Sequence, residues 1–150
     1  MHVLPHPTAL LELAPSDLGH TPWRTLGQDD IDTFADLTDD HQWIHVDRDR
    51  AAEGPYGTTI AHGMLTLALV PVLVGEVLRV DGSSFGLNYG FEKVRFTNPV
   101  PAGARIRGAV RLAAAELQGD WVRGSFAVTV EVEDVERPAL VAENVILWRV

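Results

Sequence analysis

Hydrophobic and polar positions divide the chain into two halves with different periods. In the first half, the apolar residues of QDDIDTFADL recur at near-helical spacing. Acidic residues fall in the first turn of this segment, where the helix dipole favours them. The pattern predicts a helix that ends near Thr38, and the segment DRDRAAEG predicts a second, short helix that ends at Gly54.

The segment HGMLTLALVPVLVGEVL is apolar on nearly every side of a helical projection. A helix that has no polar face must be covered by protein all round, so this segment is predicted to lie at the centre of the fold. Pro71 lacks the backbone N–H that a helix interior uses, and it predicts either a kink or a helix that starts later.

The second half alternates apolar and polar residues with the two-residue period of a half-buried strand. This period appears in ARIRGAVRL and WVRGSFAVTVEVE, and further strands are predicted in FGLNYGF, KVRFTNPV and ALVAENVILWRV. Turn signals such as DGSS and LQGD separate these strands, and consecutive strands with short turns favour an antiparallel sheet. The predicted class is therefore α+β, with one buried helix packed in a sheet of about five strands. A free edge of that sheet could pair with a second copy of the chain.

Composition narrows the classes of protein that the chain can represent. A length of 150 residues, 46% of them hydrophobic, predicts a single domain over residues 1–150. The net charge of -9 argues against a nucleic-acid partner, which needs a basic face, and against an anionic membrane surface. The most apolar run, residues 64–74, is far shorter than the about 20 residues of a membrane span. Since there is no cysteine, thiol catalysis and thiolate metal sites are excluded. We expect a soluble, cytoplasmic protein.

The stretch TDDHQWIHVD contains the main candidate catalytic residues. On an ideal helix, Asp40 and His45 would lie about 140° apart and could not face one ligand. On a chain that leaves a helix and curls, the two side chains can converge on one water molecule. Addition or removal of water needs one group that takes a proton and one that gives it, and histidine suits this because its pKa lies near neutrality. The alternative is a solvated loop with a helix N-cap at Asp47.

Three weaker patterns accompany this pair. His41 and His45, with His62 as a third ligand, have a spacing that can bind zinc on a helix. However, no glutamate follows the first histidine directly, and we expect no metal. Gly63 precedes the buried helix, and its free N–H could polarise a ligand oxygen; alternatively, it only relieves crowding while His62 caps a turn. Arg95 could bind a phosphate or simply lie on the wet face of a strand.

Taken together, these segments resemble one known family. FADLTDDHQWIHVDRDRAAEGPYGTTIAHGMLTLALVP resembles the hydratase motif of the MaoC-like dehydratases and (R)-specific enoyl-CoA hydratases. DHQWIHVD, GPYGTTIAHG, NYG and KVRFTNPVPAG are similar to the branch named for nodulation protein N. The likeness runs from about Trp23 to Glu143. It implies the hot-dog fold, a long central helix wrapped by a curved antiparallel sheet, which usually pairs into a homodimer.

The resemblance also implies an activity. Asp40 and His45 would hold and activate a water molecule, and the N–H of Gly63 would polarise a thioester carbonyl. Water would then add reversibly to a trans-2-enoyl-CoA to give a (3R)-3-hydroxyacyl-CoA, without any cofactor beyond the coenzyme A of the substrate. We expect His45 to act as the base and Asp40 to orient the water and return the proton. Candidate substrate contacts are Gln42, His62, Asn88, Tyr89 and Arg95.

Two departures from the family pattern and two rival functions complete the sequence prediction. Many members have Asn-Pro between the Asp and the His, where this chain has Gln42 and Trp43. Many also carry a serine on the central helix at the place of Pro71, so the oxyanion hole would depend on Gly63, helped by Asn88 or Tyr89. One rival is a hot-dog acyl-CoA thioesterase, which commonly has an acid within the central helix; residues 64–75 contain none. The other is a non-catalytic acyl-CoA-binding subunit.

Overall fold

The computed structural model describes residues 1–150 as five helices and eight strands. The helices are α1 (Ala9–Leu13), α2 (Gln28–Thr38), α3 (Trp43–Val46), α4 (Arg48–Ala52) and α5 (Gly63–Val77). The strands are β1 (His2–Leu4), β2 (Ser16–His20), β3 (Arg24–Thr25), β4 (Leu78–Val80), β5 (Gly86–Phe96), β6 (Arg105–Gln118), β7 (Trp121–Val132) and β8 (Leu140–Arg149).

The main sheet is antiparallel and has six strands, in the order β2-β6-β7-β8-β5, with β3 also paired to β6. The prediction of about five strands was one short, because β2 and β3 have only five and two residues and show no clear period. FGLNYGF and KVRFTNPV form one strand, β5, interrupted by two bulges where its register with β8 shifts. A separate pair, β1 with β4, is parallel.

The predicted helix-and-sheet core is confirmed. Helix α5 packs on β6, β7 and β8, and the side chains that face it are the alternating apolar residues of those strands, among them Ile106, Leu112, Phe126 and Leu140, all fully buried. The helix approaches the sheet closely at Gly108, where an added Cβ would lie 3.1 Å from Cβ of Leu73. The late helix start was wrong, because α5 begins at Gly63 and runs through Pro71.

The apolar sequence predicted that protein covers α5 all round, but a single chain leaves one side of the helix exposed. Met64 and Val72 are 58% and 50% exposed, and Ala68 and Gly75 are exposed on the same side of the helix. We call these four residues the exposed stripe. No helix of the chain has the length and the apolar content needed to cross a membrane. The cytoplasmic location stays a prediction.

Candidate active site

The turn after α2 brings Asp40 out of the helix. The helix ends at Thr38, as predicted, and Asp39 adopts a left-handed conformation with φ 58°. The backbone N–H groups of Asp39 and Asp40 both donate to the carbonyl of Ala35, which satisfies an acceptor that the last turn leaves free. The helix therefore stops at this point, and Asp40 lies outside it, in the segment that leads to α3.

His45 lies in the single-turn helix α3 and is only 7% exposed. Directly after it, Asp47 caps α4 by accepting the N–H of Arg50 at 3.0 Å. The predicted N-cap at Asp47 is thus confirmed, yet the segment also carries a buried histidine. The short helix α4 ends at Ala52, two residues before the predicted end at Gly54.

The hydrogen bond of His45 fixes which of its ring nitrogens carries a proton. Nδ1 lies 2.7 Å from the carbonyl oxygen of Ile60, and a carbonyl can only accept, so Nδ1 carries the hydrogen and Nε2 keeps a free lone pair. Burial lowers the pKa of His45 from its ordinary value of 6.5, while the Ile60 hydrogen bond opposes this shift. A neutral imidazole with an unpaired lone pair at Nε2 is the form required of a general base.

His62 supports both members of the pair. Its ring stacks on that of His45, with centroids 3.8 Å apart and planes 26° apart, and Phe34 covers it at 5.0 Å. Its Nε2 lies 2.9 Å from the backbone carbonyl of Asp40, to which it donates, and 3.9 Å from the Asp40 carboxylate. His62 is 3% exposed, and its Nδ1 has no hydrogen-bond partner. The ring therefore fixes the main chain at Asp40 and one face of His45.

The side chains of Asp40, His45 and His62 converge, with one ligating atom of each within 4.8 Å of the others. A cluster of this size could hold a metal ion or a water molecule. Nδ1 of His45 and Nε2 of His62 each donate to a backbone carbonyl, so these two nitrogens are not available to an ion. A water molecule between Asp40 and the free Nε2 of His45 fits better. His41 lies outside the cluster, since its Nε2 contacts Asp36 at 2.8 Å, and the zinc pair with His45 does not form.

Gly63 opens α5 beside this cluster. Its N–H has no hydrogen-bond partner in the chain, as expected for the first residue of a helix. An added Cβ at Gly63 would lie 2.9 Å from Cδ1 of Phe96, so a glycine is needed where this ring packs on the helix start. Gly63 and His45 line one cavity of about 290 Å³. A single molecule bound in this cavity would therefore contact both Gly63 and His45.

The cavity also contains residues that the sequence analysis did not assign. Tyr56, Phe96, Thr97 and Asn98 line it together with Gly63 and His45. They lie in the segments GPYGTT and KVRFTNPV, which carry the family resemblance, and none of the four is a carboxylic acid or a histidine. Only that resemblance could have indicated them.

The other predicted substrate contacts lie elsewhere in the single chain. Asn88 accepts from the amide of Asn144 at 2.6 Å, and Tyr89 is 70% exposed on the β5 bulge. Arg95 donates to the carbonyl of Val94 and lines a different groove. Gln42 is the exposed N-cap residue of α3. The substrate contacts of these four residues and of His62 stay predictions.

A family model described as a MaoC like domain matches residues 14–136. The chain belongs to the MaoC-like dehydratase family. It is 47% identical over 140 residues to 3-hydroxyacyl-thioester dehydratase Z of Mycobacterium tuberculosis, covering 93% of each chain. It is also 45% identical over 129 residues to nodulation protein N of Rhizobium leguminosarum bv. viciae, covering 84% of this chain and 80% of that protein.

Solved structures of MaoC-like proteins share the fold. A MaoC-like dehydratase from Rhodospirillum rubrum superposes with a TM-score of 0.73 at 19% identity, over 93% of this chain and 95% of that one. The (R)-hydratase from A. caviae involved in PHA biosynthesis superposes with a TM-score of 0.71 at 25% identity, over 85% and 93%. These likenesses confirm the predicted hot-dog fold.

Proposed function

We propose that this MaoC-like protein catalyses the reversible addition of water to a trans-2-enoyl-CoA, giving a (3R)-3-hydroxyacyl-CoA. One observation carries the proposal. The Ile60 carbonyl holds His45 with Nε2 free, a ligating atom of His45 lies within 4.8 Å of one of Asp40, and His45 lines the same cavity as Gly63, whose N–H is unpaired. Relatives named for dehydration of 3-hydroxyacyl thioesters and for (R)-specific hydration support the same reaction class.

In the proposed mechanism, each step of the hydration is carried out by a named group. The Asp40 carboxylate orients the water, and Nε2 of His45 takes one of its protons as the oxygen bonds to C3. The C2=C3 π bond breaks, and negative charge moves to the thioester oxygen, where the N–H of Gly63 donates to it. The proton taken by His45 passes through Asp40 to C2, which restores both side chains. Dehydration follows the same path in reverse.

The thioesterase alternative commonly has an acid within the central helix. The only acid of α5 is Glu76, thirteen residues after Gly63, which corresponds to about 20 Å along a helix at the usual rise. Its carboxylate is paired with Arg24 at the other end of the helix. The α5 acid is therefore unavailable at the cavity that holds His45.

The assay that tests the proposal uses the purified protein with one short-chain and one long-chain trans-2-enoyl-CoA. Loss of the conjugated double bond and release of free thiol are followed in the same sample. Hydration without thiol release is expected. Thiol release without hydration would establish the thioesterase, and binding of the acyl-CoA with neither reaction would establish the non-catalytic subunit.

The pH dependence of kcat/KM should report the lowered pKa of His45. A base acts only when deprotonated, so activity should fall as pH decreases through the pKa of His45, below the ordinary 6.5. Between pH 7 and 8 His45 should already be deprotonated, so its titration should leave kcat/KM nearly constant. Initial rates at constant ionic strength provide the test, and a rising limb centred above pH 7 would contradict the assignment.

We further propose that the protein is a homodimer. The exposed stripe leaves the most apolar helix uncovered, and β5 is an edge strand with exposed apolar side chains, including Leu87 and Phe96. An uncovered apolar helix face and an unpaired strand edge both favour association with a second copy. Pairing of two copies across these surfaces would also enclose the cavity next to Gly63.

Replacing Val72 with aspartate should shift the protein from dimer to monomer. The change places a charge in the exposed stripe, which a second copy would have to desolvate. The measurement is sedimentation velocity over a range of protein concentrations. Leu37→Asp is the matched control, since Leu37 is 82% exposed on α2 and lies off the stripe. A wild-type protein that sediments as a monomer, or a Val72→Asp variant that still dimerises, would contradict the proposal.

A further inference from the structure

Gln28 connects three separate parts of the chain behind the catalytic histidine. It is the first residue of α2 and is half-buried. Its amide nitrogen donates to the carboxylate of Asp32 at 2.7 Å and to the backbone carbonyl of His45 at 2.7 Å. Its amide oxygen accepts the hydroxyl hydrogen of Thr59, which is 2% exposed. The side chain thus bonds to residues 4, 17 and 31 positions away.

The orientation of this amide is fixed by the chemistry of its partners. The Asp32 carboxylate and the His45 carbonyl can only accept, so both require the NH2 group. The remaining partner, the Thr59 hydroxyl, can donate and takes the amide oxygen. A flipped amide would set oxygen against oxygen at two contacts. Gln28 therefore uses both donors and its acceptor, and no smaller side chain could replace these bonds.

The bonds of Gln28 belong to a closed network of hydrogen bonds around the imidazole of His45, which we call the frame. The neighbouring backbone bond runs from the N–H of Ile60 to the carbonyl of Ile44 at 2.9 Å. The imidazole itself donates to the Ile60 carbonyl. Gln28 then joins the His45 carbonyl to Thr59, the residue before Ile60. The main chain on both sides of the Nδ1–Ile60 hydrogen bond is thereby held in place.

We propose that Gln28 is a positioning residue for His45, which sets the tautomer and the direction of its free Nε2 by fixing the His45 carbonyl relative to Thr59 and Ile60. Gln28 lines a different cavity from His45 and does not reach the reacting atoms. The catalytic consequence rests on the proposed function. The effect on the imidazole does not, because it can be measured without substrate.

The test compares Gln28→Glu with Gln28→Met. Glutamate keeps the shape but places oxygens against the Asp32 carboxylate and the His45 carbonyl, while methionine fills similar space without any hydrogen bond. Since a displacement of about 1 Å can cost roughly a hundredfold in rate, we expect kcat to fall about ten- to a hundredfold with KM little changed. Gln118→Glu is the matched control. Gln118 is an exposed glutamine that also donates to a carboxylate, that of Glu116, at 2.8 Å.

A second measurement reads the imidazole directly. In the wild type, proton–nitrogen NMR of the ring should show His45 as the Nδ1–H tautomer. In both Gln28 variants that tautomer should lose population, and the pH titration of His45 should shift. The Gln118→Glu control should leave both unchanged. If the wild-type protein shows no hydration but the Gln28 variants still change the tautomer of His45, the proposed function is refuted and the positioning role of Gln28 is retained.

The other end of the frame gives an independent check that does not depend on the folding of the Gln28 variants. Thr59→Ser keeps the hydroxyl that donates to Gln28 and should retain kcat and the His45 tautomer. Thr59→Val keeps the shape but removes the donor, and should reproduce the loss in kcat. Folded Gln28→Met or Thr59→Val proteins with wild-type kcat, pH profile and tautomer, whatever their melting temperature, would overturn the proposal.

Discussion

Replacing His45 with glutamine should lower the rate of enoyl-CoA hydration by about 10²–10⁴-fold, the range that a positioned general base contributes. Glutamine has nearly the same reach and could still donate to the Ile60 carbonyl, but its amide has no basic nitrogen to take a proton from water. The loss should appear in kcat, because His45 acts on the water and KM depends mainly on contacts with the thioester. Steady-state kinetics with one enoyl-CoA chain length measures both constants.

The matched control is His41→Gln, in the same segment. His41 is half-exposed and pairs with Asp36, which raises its pKa through their hydrogen bond. We expect its loss to leave kcat and KM close to the wild-type values. Equal losses in the two variants would mean that the segment as a whole, and not the Nε2 of His45, sustains activity. Wild-type activity in His45→Gln would remove His45 from the mechanism.

Long periodic segments were predicted well because their faces are set by local sequence. Helix α5 and strands β6 and β7 each have more than ten residues, and the apolar residues that alternate along β6 and β7 are mostly buried, as are Ile31 and Ala35 of helix α2. Leu37 of α2 and the exposed stripe of α5 are the exceptions. Strand β3 has two residues and helix α3 has four, which is too short for either period to show. Strand β3 forms because β6 supplies its hydrogen bonds, and α3 is a single turn closed by bonds from His45 to Gln42 and from Asp47 to Trp43.

The convergence of Asp40 and His45 was also within reach of sequence reasoning. The prediction followed from the helix end at Thr38. Because Asp40 and His45 lie beyond that end, the angle of about 140° that a continuous helix would set between their side chains does not apply. The supporting residues could not be found in this way. The ring of His62 is fixed by the Asp40 carbonyl, 22 residues away, and Gln28 meets Thr59 across 31 residues. Such contacts depend on where α2 and α5 lie in the folded chain, which no local pattern specifies.

Replacing Asp40 with asparagine should lower hydration by orders of magnitude while the fold stays intact. The side chain is 54% exposed, and the structural contact of this residue is made by its backbone carbonyl with His62, which the substitution keeps. What is lost is the negative carboxylate that orients the water and returns the proton to C2, a role worth about 10²–10⁴-fold per proton transfer. Initial rates and a thermal melt of the same preparation separate catalysis from stability.

Asp39→Asn is the control with the same chemical change one residue earlier. Asp39 is fully exposed and has a left-handed backbone, which asparagine adopts readily, so both activity and melting temperature should stay close to the wild type. Combining Asp40→Asn with His45→Gln should cost little more than the worse single change, because both side chains act on one water. Multiplicative losses in the double variant would show that Asp40 and His45 act independently, and Asp40→Asn with wild-type activity would exclude the proposed mechanism.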